Sequence, residues 1–141
     1  MNPAKLIVHT DVLLDHLQGD DHPSILRMAM EEFFCYTTVF QAVELFAAMR
    51  TPAARRAAEG AMAAMKILGL NPRRAPMYGT LFAAHPRKRG TDLLVAGMCL
   101  DSDLPLLTAR EGDFRGIRGL KIVAPRTLAA ARRHTARRNG G

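Results

Sequence analysis

Several features that define other classes of protein are missing from the sequence. Only two cysteines occur among the 141 residues. Both, Cys35 and Cys99, lie in apolar segments, so we expect buried, reduced thiols and neither a disulfide framework nor a zinc motif. The longest nearly uncharged stretch, residues 35–49, is too short and too interrupted by polar residues to cross a bilayer. Because no secretory signal is recognisable at the N-terminus, we expect a cytoplasmic location.

Repeats and linkers are missing as well. No internal repeat or low-complexity segment divides the chain. The charged fraction of 23% is typical of a folded domain, and the hydrophobic fraction of 48% is enough for one core. We predict a single domain over residues 1–125. The basic tail over residues 126–141 has no apolar face to bury, and we expect it to be partly disordered.

Positive charge is present in excess. The formal net charge is +7, and the cations are clustered rather than scattered, which favours contact with a phosphate-rich partner. Charge alone does not distinguish a specific nucleic-acid substrate from a nonspecific polyanion. The candidate residues for contact with the phosphates of such a partner are Arg73, Arg74, Arg87, Lys88 and Arg89.

Short apolar runs alternate with helical patterns along the chain. Strands are predicted at residues 6–8, 35–38, 104–108 and 120–124. Helices are predicted at residues 11–19, 22–34, 39–49, 53–68, 75–84 and 92–100. This alternation predicts an α/β domain with three layers, in which a mainly parallel central sheet is flanked by helices. Functional sites in such sheets lie at the carboxyl ends of the strands.

Four acidic residues are expected at that edge of the sheet. Asp11 follows the first strand, Glu44 lies just after the second, Asp92 begins an apolar helix, and Asp113 follows the strand at 104–108. Each alone has an ordinary explanation, as a residue in a first helical turn or a polar position on an amphipathic helix. Together they form an oxygen-rich set suited to Mg²⁺ or Mn²⁺ and to hydrolysis of a phosphodiester.

The sequence around these acids resembles the PIN domain, and in particular the VapC-like toxins of type II toxin–antitoxin pairs. The resemblance extends over most of the chain up to Pro125, and four segments carry it: TDVLLDHL at 10–17, YTTVFQAVELF at 36–46, GTDLLVAG at 90–97 and LPLLTAREGDF at 104–114. It implies a PIN-like fold and a metal-dependent endoribonuclease that hydrolyses RNA with Mg²⁺ or Mn²⁺. It also implies a cognate antitoxin and a homodimer.

The resemblance assigns Glu44 and Asp92 to the metal site directly, but the first position of the family's acidic set is His9 in this chain. Either Asp11, on the same face of an extended segment, supplies the missing oxygen, or His9 binds a softer metal such as Mn²⁺ through a ring nitrogen. A further family position, often aspartate or asparagine, is Arg110, and Asp113 is the best substitute. The predicted catalytic and metal-binding residues are therefore Asp11, Glu44, Asp92 and Asp113, with His9 as an additional candidate ligand.

The same departures from the family pattern leave a second function open. A PIN-like module that has lost tight metal binding through His9 and Arg110 would keep its fold and basic surface. Such a module would bind nucleic acid or protein without cleaving it. No helix-turn-helix spacing favours a third possibility, a basic helical DNA-binding protein.

Overall fold

A parallel five-stranded sheet forms the centre of the fold. The computed structural model describes residues 4–19 and 22–128, so most of the predicted basic tail lies outside the described residues. The strands are β1 (Ala4–Val8), β2 (Phe33–Thr38), β3 (Lys66–Leu68), β4 (Leu106–Leu107) and β5 (Ile122–Val123). Their order across the sheet is β3-β2-β1-β4-β5, and every neighbouring pair is parallel.

Helices connect the strands and cover both faces of the sheet. They are α1 (Thr10–Gln18), α2 (Ile25–Glu32), α3 (Val39–Ala48), α4 (Pro52–Ala63), α5 (Ala75–Ala84) and α6 (Gly90–Ser102). Short 3₁₀ turns are formed by Pro72–Arg74 and Glu111–Phe114. No helix in the described part of the chain is long and apolar enough to span a bilayer.

Alternating side chains of β1 divide the core into two layers. Leu6 and Val8 pack with residues of α1, α2, α3 and α4 on one face, whereas Ile7 packs with residues of α6 on the other. This division follows from the two-residue period of a strand, and the run of apolar residues in β1 is explained by burial on both faces. The three-layer α/β fold class predicted from the sequence is confirmed.

Hydroxyl side chains fix the starts of three helices. Ser24, Thr38 and Thr51 each accept a hydrogen bond from the backbone amide three residues later, at the first turns of α2, α3 and α4. These bonds satisfy amides that have no partner within the helix. At Thr38 the cap is reciprocal, because the side chain of Gln41 also accepts from the amide of Thr38 at 3.3 Å.

The two cysteines lie in the core as expected. Cys35 and Cys99 are both buried free thiols. Burial raises the pKa of Cys35 to about 11 and that of Cys99 to about 12. Because the thiolate is the reactive form, these side chains are chemically inert packing residues.

Two of the predicted helices extend into residues that form strands. The helix predicted over residues 53–68 ends at Ala63, and Lys66–Leu68 forms the edge strand β3 beside β2. The helix predicted over residues 22–34 ends at Glu32, because Phe33 and Phe34 pair with Ala4 and Lys5 as the start of β2.

Candidate functional site

The carboxyl ends of neighbouring strands bring several of the predicted site residues together. His9 directly follows β1, and Thr108 directly follows β4, which is paired with β1. Glu44 lies in the second turn of α3, the helix that follows β2, and Asp92 lies in the first turn of α6. The edge predicted from the sequence to carry the site is therefore the edge where these residues meet.

His9 lies between two carboxylates. Its Nδ1 atom is 2.9 Å from Oδ1 of Asp11, and its Nε2 atom is 3.4 Å from Oδ1 of Asp92. The contact with Asp11 is a hydrogen bond, whereas the contact with Asp92 is an ion pair without hydrogen-bond geometry. Nε2 is accordingly buried without a hydrogen-bond partner among the described residues. His9 and Asp92 are only 5% and 3% exposed, so this is a charged arrangement inside the protein.

The carboxylates determine the charge of His9. Burial acts to lower the pKa of His9, but its contacts with Asp11 and Asp92 act in the opposite direction and raise the pKa to about 9. The amide of Asp11 also approaches Nδ1, at 3.5 Å. A ring nitrogen that donates to a carboxylate cannot accept at the same time, and the shorter 2.9 Å contact decides in favour of donation. His9 is therefore an imidazolium at neutral pH.

Asp11 is held from the opposite side by the segment after β4. Its side chain accepts hydrogen bonds from the amide of Ala109 at 2.8 Å and from the hydroxyl of Thr108 at 3.2 Å. Burial acts to raise the pKa of Asp11, but the hydrogen bond from His9 and these two bonds outweigh it, and the net shift is downward. Asp11 therefore stays ionised and is anchored by donors on two sides.

The backbone before His9 is fixed by residues that sequence reasoning did not select. The carbonyl of Val8 accepts hydrogen bonds from Nε2 of Gln41 at 2.8 Å and from the hydroxyl of Thr37 at 3.2 Å. Gln41 is fully buried. Gln41 lies three residues before Glu44 in the nearly uncharged stretch 35–49. Its polar side chain in that stretch is a signal in the sequence, but it is weaker than that of Glu44 because glutamine carries no charge.

Phe114 is the other residue that the sequence analysis did not assign to the site. Its ring lies 5.2 Å from the ring of His9, between centroids, with the two planes at 85°. Such an edge-to-face contact, together with the two carboxylates, fixes the orientation of the imidazole.

Glu44 and Asp113 each contact an arginine near the surface. Oε2 of Glu44 is 3.3 Å from Nη2 of Arg89, and its Oε1 atom accepts from the hydroxyl of Thr10 at 3.2 Å. Asp113 contacts Nε of Arg110 at 2.7 Å. The arginine side chains are 58% and 54% exposed. Neither acid contacts His9, so the structure joins only Asp11 and Asp92 directly.

A basic pocket adjoins this edge. It has a volume of about 520 Å³ and its walls include Asp92 and Asp113. The other charged or imidazole side chains that line it are His85, Arg87, Lys88, Arg89 and Arg110. Three of the five residues predicted to hold RNA phosphates thus lie in one pocket. Arg73 and Arg74 do not line it, and Arg74 is paired with Asp101 at 2.7 Å.

A divalent metal ion does not fit these residues as they are arranged. The described residues contain no group of three or more histidine, cysteine, aspartate or glutamate side chains that could hold a metal ion. Each predicted acidic ligand contacts a protein cation instead, which is His9 for Asp11 and Asp92, Arg89 for Glu44 and Arg110 for Asp113. The predicted use of Mg²⁺ or Mn²⁺ stays a prediction that this geometry does not support.

The architecture is shared with solved structures of toxin–antitoxin proteins. VapBC2 from Rickettsia felis, solved with a DNA fragment from its promoter, has a chain that matches at a TM-score of 0.74 and 13% identity, covering 84% of this chain and 97% of that one. VapBC-1 from nontypeable Haemophilus influenzae matches at 0.72 and 17%, covering 85% and 97%. VapBC-5 from Mycobacterium tuberculosis matches at 0.58 and 22%, covering 86% and 98%.

The similarity is one of structure. No protein-family model and no curated protein sequence matches the chain. Sequence identity to these three structures is only 13–22%, but the match covers nearly the whole of each neighbouring chain. The chain has the PIN-like, three-layer α/β/α fold of the matched chains in these VapBC toxin–antitoxin structures.

Proposed function

We propose that the chain binds RNA as a VapC-like member of a toxin–antitoxin pair. The basic pocket beside the acidic sheet edge is the observation that carries the proposal, since it gathers Arg87, Lys88 and Arg89 around one concave surface. The VapBC neighbours support a cognate antitoxin as the protein partner. The homodimer implied by the resemblance is part of the same proposal.

The chemistry of the pocket suits a phosphodiester backbone. Guanidinium and ammonium groups bind phosphate oxygens by charge-assisted hydrogen bonds. Arg87 has no ion-pair partner among the described residues, and Lys88 donates to the backbone carbonyl of Asp113 at 3.1 Å. Neither cation is paired with a carboxylate in the described part of the chain, and an unpaired charge favours contact with an anionic ligand.

The geometry favours binding without metal-dependent cleavage. The four acids expected to hold Mg²⁺ or Mn²⁺ are each compensated by a cation of the protein itself. A metal ion bound by these acids would have to displace one of these cations, above all the buried His9. We therefore propose a nucleic-acid-binding PIN module whose catalytic edge has become neutralised.

Metal-dependent endoribonuclease activity is the second candidate, and one observation favours it. The pairs Arg89–Glu44 and Arg110–Asp113 are formed by arginines that are more than half exposed. Such surface pairs contribute only about 0–1 kcal/mol, so both acids are easily released from their partners. His9 is then the single buried obstacle to a shared acidic site.

RNA binding tests the pocket. Fluorescence anisotropy with a single-stranded RNA, measured in EDTA over a range of salt concentrations, is expected to show strongly salt-dependent binding. The double variant Arg87→Ala/Lys88→Ala should lower the log–log salt slope by about 1.4, since each phosphate contact contributes about 0.7 for single strands. The matched control Arg50→Ala/Arg56→Ala removes the same charge from exposed positions outside the pocket. Equal losses in both variants would show that the pocket is not the binding site.

RNA cleavage separates the two candidates. The natural chain is incubated with labelled RNA and Mg²⁺ or Mn²⁺, with Asp92→Asn as the comparison. Metal-dependent cleavage that disappears in the variant would establish the endoribonuclease. No cleavage by either protein, with RNA binding retained, is the result expected for the binding module. Co-purification with the product of a short adjacent upstream gene tests the antitoxin partner.

A further inference from the structure

The position of His9 explains why the acids at the sheet edge do not resemble a metal site. Both ring nitrogens lie within ion-pair distance of carboxylate oxygens, at 2.9 Å for Asp11 and 3.4 Å for Asp92. A neutral imidazole has one N–H and one lone pair, so it would turn a lone pair toward one of the two carboxylates. Only the ring with a hydrogen on each nitrogen is attracted to both.

The ring cannot leave this position by a simple rotation. Phe114 packs against it edge to face, and the hydroxyl of Thr108 lies 3.5 Å from Nδ1. On the main-chain side, Gln41 and Thr37 hold the carbonyl of Val8. His9 is thus built into the edge from several directions and is not a surface side chain that happens to point inward.

Removal of the positive charge would leave the buried carboxylate of Asp92 and the partly buried carboxylate of Asp11 without a cation between them. Asp92 is 3% exposed and the side chain of Asp11 is 19% exposed, so water screens their repulsion poorly. No arginine or lysine forms an ion pair with either carboxylate among the described residues. In the described part of the chain, His9 is the one side chain that could supply a positive charge in direct contact with these two acids.

We propose that His9 is a built-in cation that joins Asp11 and Asp92 in the place of a metal ion, so that the acidic edge is assembled without a divalent cation. The inference rests on the proposed function only in treating this edge as the one beside the RNA-binding pocket. In this proposal the positive charge of His9 holds the two carboxylates together, whereas a metal ligand would bind the ion with a neutral ring and an ordinary core residue would only pack.

Isothermal titration calorimetry with MnCl₂ tests the proposal without an activity assay. The natural chain is expected to bind Mn²⁺ with a Kd of about 1 mM or weaker. The Kd of His9→Asp for Mn²⁺ is expected to be at least about tenfold lower. His22→Asp is the matched control, because it makes the same substitution at an exposed histidine away from the edge. It should bind Mn²⁺ like the natural chain.

Thermal unfolding supplies a second readout on the same proteins. Mn²⁺ is expected to raise the Tm of His9→Asp, with reversal by EDTA, and to leave the Tm of the natural chain unchanged. A Kd of the natural chain for Mn²⁺ that is less than about tenfold weaker than that of His9→Asp would overturn the proposal.

If His9→Asp does not fold, paramagnetic broadening of NMR signals by Mn²⁺ tests the proposal on the natural chain alone. Mn²⁺ added to the natural chain should leave the amide signals of Asp11 and Ala109 sharp, and selective broadening of those signals would contradict the inference. The RNA-binding measurement in EDTA is independent of these results. A failure of RNA binding would remove the proposed function while the Mn²⁺ results still decided the role of His9.

Discussion

The contact of His9 with its two carboxylates makes the stability of the fold depend on pH. The pKa of His9 is raised from 6.5 to about 9 in the folded chain. A group with a raised folded pKa contributes its full stabilisation below its unfolded value and loses it as the pH rises through its folded value. The stabilisation is therefore complete below about pH 6.5 and disappears by about pH 9.

The size of the effect follows from the shift. Each pKa unit corresponds to about 1.4 kcal/mol, so the shift of His9 amounts to about 3 kcal/mol of unfolding free energy. The lowered pKa of Asp11 reports the same ion pair from the other side and is not counted again. That carboxylate loses its part of the stabilisation only in acid, as the pH falls below its usual range. The pair is therefore most stabilising between these limits.

Urea unfolding at pH 6, 7.5 and 9 measures this dependence, with His9→Gln as the comparison. The variant removes the titrating ring, and both proteins keep Cys35 and Cys99, whose ionisation contributes equally to each. The natural chain should lose about 3 kcal/mol more than the variant across this range. The absolute stability of the variant is irrelevant, because only the slope against pH is compared. Equal slopes would refute the assignment of His9 as a buried cation.

Three further substitutions test local features of the fold. Gly97→Ala should destabilise the chain by about 1–3 kcal/mol in urea unfolding, because the new Cβ would clash with the ring of Tyr78; a gain in stability, normal for this change in a helix, would contradict the packing. Thr38→Val keeps the shape but removes the cap of α3, with an expected loss of about 1 kcal/mol in the same assay. Arg89→Gln breaks only the half-exposed pair with Glu44 and should change the unfolding free energy by less than about 1 kcal/mol; a larger loss would show that this pair is structural.

The strands and helices that were predicted correctly are those whose local pattern agrees with their environment. The apolar run before His9 is a strand buried on both faces, and the Thr51-Pro52 pair begins α4 as its cap and first residue. Hydrophobic period and cap chemistry are local properties, so the sequence contains them directly.

The errors lie where pairing with a distant strand determines the structure. Residues 66–68 continue an alanine- and methionine-rich helical pattern, yet they become an edge strand because Tyr36, Thr37 and Thr38 offer backbone partners. Phe33 and Phe34 likewise leave the helical pattern to pair with the first strand. Local propensity is weak compared with a sheet that can be extended by one more strand.

The candidate site shows the same limit. The order of strands and acids along the chain was enough to predict which residues approach one edge of the sheet. The contacts of each acid depend on three-dimensional placement, since Glu44 meets Arg89 from 45 positions away and His9, after β1, meets Asp92 in the first turn of α6. The resemblance therefore marked His9 as a departure from the family pattern, but the sequence did not reveal that its ring lies between two carboxylates.

The clamp on the carbonyl of Val8 has a consequence for how this edge can evolve. Gln41 and Thr37 hold the backbone before position 9 without using the side chain at that position. Histidine and aspartate codons differ in one base, so a single point mutation can exchange an internal cation for an additional carboxylate on an unchanged scaffold. Descendants of such a chain can gain or lose ion dependence in one mutational step, because the inherited geometry does not have to be rebuilt.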